Sequence, residues 1–181
     1  MANLSDEELM QLILKGDLDK MRYLFDRYQV RIFNYCLQLT KNRELSKDLT
    51  QEVFYKVLKF RRTYKNTRFS SWVYSIARNL CYDYHKQQKR QEKQIDDLKH
   101  FKQRLDSDSE SLGDAQLLNH ALNQLSLADR ELIVMSKYQG MKYQEIAEIT
   151  NSTAGAVRTK THRALHKLKN LYFTKSKKHE L

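Results

Sequence analysis

Apolar positions recur along most of this chain every three to four residues, the spacing of a helix that buries one side and wets the other. Met21, Leu24, Phe25, Tyr28, Ile32, Tyr35, Cys36 and Leu39 fall on one such stripe. They predict a long helix from about Asp17 or Leu18 to Thr40, broken at Asn42-Arg43. Ahead of it, Ser5 with Glu8 three residues on has the form of a capping box, opening a short helix that ends near Gly16. Behind it, Leu45, Leu49, Val53, Val57 and Phe60 predict a helix from about Glu44 to Arg61. Trp72, Val73, Ile76, Ala77, Leu80, Cys81 and Tyr84 predict a fourth, running to about Arg90. The basic loop between these two, Arg61–Phe69, is expected to expose its aromatic rings.

The pattern lapses over residues 93–112, where apolar positions are sparse and Asp106–Ser111 is a run of serine and acid. This predicts a linker, with a short helix around Ile95–Leu105. The acidic run has two readings, a solvated tether or a mimic of nucleic acid beside a basic channel. The helical pattern resumes with Leu117, Leu118, Ala121, Leu122 and Leu125. Ser126 then caps a helix that carries Leu132, Ile133 and Met135 and ends at Gln139-Gly140. Ile146, Ala147 and Ile149 form the inner side of a short helix, and Asn151 stands where the chain must turn. Thr153 caps a longer helix that buries Val157, Thr161, Ala164, Leu165 and Leu168. Short helix, turn and longer helix make a helix-turn-helix. The predicted fold is therefore all-α: two small helical domains, 1–92 and 113–181, joined by the linker 93–112.

Composition supports this reading. The 181 residues include no proline and four glycines, too little punctuation for strands joined by tight turns. The net charge is +11, which favours polyanionic partners. Both predicted domains are basic: +7 up to Glu92 (18 basic, 11 acidic residues) and +5 from Gly113 (11 basic, 6 acidic). No apolar run approaches the roughly 20 residues that span a bilayer, so no stable membrane insertion is expected. The N-terminus, MANLSDEELM, lacks the form of a secretory signal. Cys36 and Cys81 both fall within apolar stripes, as buried thiols in a reducing cytoplasm would.

Three polar groupings are candidates for function. Asp48, Gln51, Glu52 and Lys56 are spaced to form one strip on the third helix. Ser75, Arg78, Asn79, Tyr82, Lys86 and Lys89 line the polar side of the fourth, preceded in the loop by Tyr64, Lys65, Arg68 and Phe69. Cations that follow a phosphate backbone, among rings that stack on bases, suit single-stranded nucleic acid. An ordinary amphipathic helix with a solvated basic face fits the same residues. Arg158, Thr159, His162, Arg163 and His166 lie outside the buried stripe of the last helix, where a DNA-reading helix carries its donors. His162 and His166 are one turn apart, but no Cys or acid stands at a suitable spacing to complete a metal site. No nucleophile–base pair, cofactor motif or phosphate-cradling glycine loop is present, so neither an enzyme nor a cofactor is expected.

Taken together these residues resemble a bacterial RNA polymerase sigma factor of the extracytoplasmic-function type. Asp48-Leu49-Thr50-Gln51-Glu52-Val53-Phe54 resembles that family's polymerase-binding helix. Phe69–Leu80, followed by Asp83, resembles its promoter-melting segment. Arg130-Glu131, Tyr143–Ala147, Gly155–Lys160 and His162-Arg163-Ala164 resemble its upstream-promoter reader. The match departs at Thr150, at Asn151 where glycine is common, and at Ser152-Thr153. The resemblance implies that Asp48, Gln51, Glu52 and Lys56 dock on core RNA polymerase. It implies that Tyr64, Lys65, Arg68, Phe69, Arg78, Asn79, Tyr82 and Lys86 hold the melted strand of the −10 element. Arg158, Thr159, Lys160, His162 and Arg163 would meet the −35 duplex, and an anti-sigma factor would be a further partner. The rival from another class is a stand-alone helix-turn-helix regulator of duplex DNA.

Overall fold

The structure, a computed structural model, describes residues 4–65, 67–96 and 114–179. Eight α-helices follow in order among these residues: α1 (Asp6–Leu14), α2 (Met21–Thr40), α3 (Arg43–Lys59), α4 (Phe69–Asp96), α5 (Asp114–Gln124), α6 (Leu127–Ile133), α7 (Tyr143–Thr150) and α8 (Ala154–His179). The capping box at Ser5 is formed: Glu8 N–H donates to Ser5 Oγ at 3.2 Å, and Ser5 N–H donates to Glu8 Oε2 at 2.7 Å. The break after α2 is made by two adjacent residues with separate tasks. Lys41 closes α2 in the left-handed conformation (φ 59°), and Asn42 opens α3 by accepting from Leu45 N–H at 3.0 Å. Each group satisfies backbone atoms that a helix end leaves unpaired.

The first lobe, α1–α4, closes over Leu9, Met10, Ile13, Leu24, Ile32, Tyr35, Leu39, Val53, Val57, Val73 and Ala77, all buried. In the second lobe, α5, α6 and α8 enclose Leu122, Leu125, Ile133 and Ala164. The lobes are not held apart. Leu132, Val134, Met135, Met141, Ile146, Ala147 and Ile149 from the second belong to the same apolar cluster as the core of the first. Helix α7 lies along α4, and α6 approaches α2.

Some sequence expectations are corrected. Helix α3 stops at Lys59, so Phe60 passes the last turn and is 44% exposed, with the Lys59 ammonium 5.6 Å from its ring centre. Leu118 is 37% exposed rather than core. Helix α4 runs past Arg90 to Asp96. The rest of the short helix expected at Ile95–Leu105, and the acidic run Asp106–Ser111, lie outside the described residues. After α6 the helix widens into a π-turn over Val134–Tyr138, with Gln139 N–H donating to Val134 C=O at 2.9 Å. No glycine or proline in Val-Met-Ser-Lys-Tyr marks it in advance.

The turn between α7 and α8 depends on Asn151, held left-handed at φ 49°, ψ 53°, while Ser152 N–H reaches back to Ala147 C=O at 2.9 Å. Asparagine tolerates this conformation; a β-branched side chain is forced against its own carbonyl there. Asn151→Val is therefore expected to lower the unfolding free energy by about 1–2 kcal/mol, whereas Asn151→Gly leaves it equal or slightly higher. Urea denaturation checks this, and equal midpoints for the two variants would remove Asn151 as the determinant of the turn.

Candidate nucleic-acid interface

On α3 the expected strip is formed. Leu49, Val53 and Val57 turn inward, leaving Asp48 and Gln51 exposed and Glu52 and Lys56 half-exposed on the other side. Lys56 Nζ stands 4.0 Å from Glu52 Oε1, a loose pair that leaves both groups open to a partner. Tyr55 sits beside them, exposed, with Lys59 Nζ 5.4 Å from its ring centre. Sequence reasoning passed over this tyrosine because nothing distinguishes it from a core aromatic.

The loop before α4 differs from expectation at its two rings. Tyr64 is 6% exposed and Phe69 0%, so neither presents a face for a base to stack on. The Tyr64 ring packs 5.1 Å from Trp72, and its hydroxyl donates back to Thr67 C=O. Phe69 packs edge-on against Tyr28 at 5.2 Å, and its N–H donates to Glu7 Oε1 at 2.9 Å. Burial pushes the Tyr64 phenol up to about 12, with Glu7 and Asp6 adding to the shift. The rings fix the loop from beneath, while Lys65 and Arg68 remain on its outer side. Along α4, Asn79 and Lys86 are exposed as expected.

Arg78 and Tyr82 lie instead against the second lobe. Glu131 of α6, 2% exposed, enters between them. Its Oε1 accepts from Tyr35 OH at 2.8 Å, its Oε2 accepts from Tyr82 OH at 2.7 Å, and Arg78 Nε stands 3.0 Å from Oε1. The arginine approach is an ion pair rather than an aligned hydrogen bond, since Arg78 Nε–H has no acceptor in line. The guanidinium also stacks 4.3 Å above the Tyr82 ring. Burial, the Glu131 charge and the hydrogen bond to it keep the Tyr82 phenol protonated well above the ordinary tyrosine range. The same causes hold Tyr35, so both hydroxyls remain donors to the carboxylate. A buried carboxylate is expensive unless paired and hydrogen-bonded, and here both conditions are met.

Further contacts extend the seam. Arg68 Nη1 meets Glu145 Oε1 at 3.2 Å, and Ser71 Oγ donates to Glu148 Oε2 at 2.7 Å. Tyr74, fully buried, donates to Gln139 Oε1 at 2.7 Å. Gln139 C=O in turn accepts from Arg31 Nη2 at 3.2 Å. Cys36 and Cys81 are buried free thiols in the first lobe, and the neighbouring Cys36 thiol, together with burial, pushes the Cys81 thiol far up.

The outer side of α8 carries Arg158, Thr159, Lys160, His162 and Arg163, all exposed, while Val157, Thr161 and Ala164 are buried beneath. Thr153 caps the helix, its hydroxyl accepting from Ala156 N–H at 3.2 Å. His162 and His166 join no cluster of metal-ligating groups among the described residues. No helix among them is long and apolar enough to cross a membrane.

The fold and these faces define a helical DNA-binding protein of the helix-turn-helix class. Residues 24–91 match the family described as Sigma-70 region 2, and residues 115–168 match Sigma-70, region 4. The chain is 30% identical over 165 residues to the RNA polymerase sigma factor CarQ of Myxococcus xanthus, covering 90% of this chain and 94% of that one. Among solved structures it resembles CnrH in complex with the cytosolic domain of CnrY (TM-score 0.72, 20% identity, 93% of this chain and 97% of that one). It also resembles the sigma factor RpoE in complex with the anti-sigma factor NepR from Bartonella quintana (TM-score 0.68, 20% identity, 83% and 94%). This chain belongs to the sigma-70 family of RNA polymerase sigma factors, in its extracytoplasmic-function group. It binds RNA polymerase and directs initiation at promoters. Nothing in these comparisons favours a stand-alone regulator.

Proposed function

We propose that the three polar faces divide the work of initiation. Asp48, Gln51, Glu52 and Lys56 on α3 dock on core polymerase. Lys65, Arg68, Arg78, Asn79, Tyr82 and Lys86 hold the melted strand at the −10 element, with Tyr64 and Phe69 shaping their loop from below. Arg158, Thr159, Lys160, His162 and Arg163 on α8 meet the −35 duplex. The boundaries 1–92, 93–112 and 113–181 separate the polymerase-binding and strand-holding domain, the linker and the upstream reader. The chain contributes no bond-making chemistry of its own; the polymerase supplies it, in the cytoplasm. The proteins in the two structures named above are bound to CnrY and to the anti-sigma factor NepR, which favours an anti-sigma partner here too.

The observation that supports this reading most is the two-sidedness of α8: small and apolar groups buried on one side, and three cations and a threonine within six residues exposed on the other. Run-off transcription with purified core polymerase over a library of promoter sequences tests it. Selection of a common upstream and downstream element is the expected result, and initiation without sequence preference would overturn it. Within that assay, Arg158→Ala is expected to cost about 1–3 kcal/mol of discrimination at one upstream base pair. A loss equal on all sequences, with a shallower salt dependence, would make Arg158 a phosphate contact instead.

A further inference from the structure

Helix α1 opens with three acids in succession, Asp6, Glu7 and Glu8. Local needs account for Glu8, which completes the capping box with Ser5. The other two reach out of the helix, and both end on Phe69. Glu7 Oε1 accepts from Phe69 N–H at 2.9 Å, across 62 positions of sequence. Phe69 is the first residue of α4, so this N–H is one of the four donors that a helix start leaves without a partner. Arg68, just before it, has no side-chain oxygen to cap with. An acid there also meets the positive end of the α4 dipole. Asp6 accepts from Arg27 Nη1 at 2.6 Å and from the Tyr28 hydroxyl, and the Tyr28 ring lies edge-on to Phe69 at 5.2 Å. One acid thus holds the backbone of Phe69, and the other holds the ring that Phe69 packs on.

These ties fix one end of the loop that carries Lys65 and Arg68. At its other end Tyr64 N–H donates to Arg61 C=O at 3.0 Å, and the Tyr64 ring packs on Trp72. Helix α1 lies against both the turn Arg61–Thr63 and α4. All of these partners belong to the first lobe. We infer that Glu7, braced by Asp6, is a positioning residue for the strand-holding loop: acting through Phe69, it fixes where Lys65 and Arg68 stand and how α4 presents Asn79 to the melted strand. The inference rests on the assignment of this loop and α4 to that strand. Long basic side chains follow a phosphate even when their backbone shifts, whereas a base edge is read only from a fixed position. A binding group has to be held to within about 0.5 Å by the residues around it. Loosening the start of α4 therefore weakens the choice of −10 sequence before it weakens the hold on DNA or polymerase.

The test uses the full chain with core polymerase in run-off transcription, on the promoter that the library assay selects, first with its −10 element randomised and then with its −35 element randomised. Glu7→Ala is expected to lower preference for the selected −10 sequence about tenfold, within the range that one base contact supplies. Preference among −35 sequences and affinity for core polymerase are expected to stay within about twofold. Glu7→Gln keeps an oxygen for the Phe69 N–H and is expected to restore the −10 preference. Glu7→Asp keeps the charge but falls one methylene short, and is expected to lose about threefold. Unchanged preference in Glu7→Ala, or in Glu7→Asp where Glu7→Ala does not fold, overturns the inference. So does a Glu7→Gln chain that loses as much as Glu7→Ala, since the charge and not the hydrogen bond would then be the cause. An equal fall of −10 and −35 preference overturns it too, being the mark of a fold that is merely weakened. Failure of the strand assignment itself reads differently. Lys65→Ala and Asn79→Ala would then initiate as well, and as selectively, as the unaltered chain, whatever Glu7→Ala shows.

Discussion

A chain carrying Asp48→Lys and Glu52→Lys together is expected to keep its helix content and melting temperature and to lose binding to core RNA polymerase. Inside the chain the two acids do little. Asp48 is exposed, and Glu52 makes only the 4.0 Å pair with Lys56. Surface pairs of this kind contribute about 0–1 kcal/mol, and surface replacements away from special features change stability within about 0.5 kcal/mol. The effect on docking is far larger. The same helix already carries Lys47, Lys56 and Lys59, so two reversals leave Glu44, in its first turn, as the last acid on its outer side. A partner surface chosen to pair with Asp48 and Glu52 then meets like charge, which costs several kcal/mol and lowers affinity by more than about a hundredfold. Titration of labelled chain with core polymerase gives the affinity, and circular dichroism melting gives the fold. Binding retained within about threefold would remove α3 as the docking face.

Positions that bury one apolar side were readable because a helix repeats them every turn. Met21 through Leu39 on α2 and Val157 through Ala164 on α8 bury much as their spacing requires. The capping groups Ser5, Ser126 and Thr153 were readable for a related reason, since each must supply a side-chain oxygen where a helix begins. What escaped was the second buried side of α4. Ser71, Tyr74, Arg78 and Tyr82 also recur at helical spacing, but their hydroxyls and guanidinium make the stripe look solvated. A polar group paired in the interior and one facing water are the same letter. One clue was present: Leu132–Met135 is four apolar residues in succession, more than a one-sided helix uses, and it implies that α6 is enclosed from several directions. Glu131 adjoins that run, and its burial follows from it.

The rings of the loop before α4 show the converse error, and they make the largest stability prediction. Basic neighbours made Tyr64 and Phe69 look like stacking platforms, yet a ring among lysines is equally able to anchor the loop from inside. Phe69→Ala is expected to lower the unfolding free energy by about 3–5 kcal/mol, the range for truncating a buried phenylalanine. Phe69 is fully enclosed, contacts Tyr28 edge-on, lies 6.2 Å from Trp72 and begins α4. The cavity left behind therefore lies where α1, α2 and α4 meet. Such a loss is a large part of the 5–15 kcal/mol that holds an ordinary domain together. Lys65→Ala and Asn79→Ala, both on the outer surface, are expected to leave stability within about 0.5 kcal/mol. Urea unfolding followed by Trp72 emission, the single tryptophan of the chain, separates the two kinds of residue. If Phe69→Ala unfolds at the midpoint of the unaltered chain while single-strand binding falls, the ring touches DNA after all, and the enclosed loop described above is not the one the protein uses in solution.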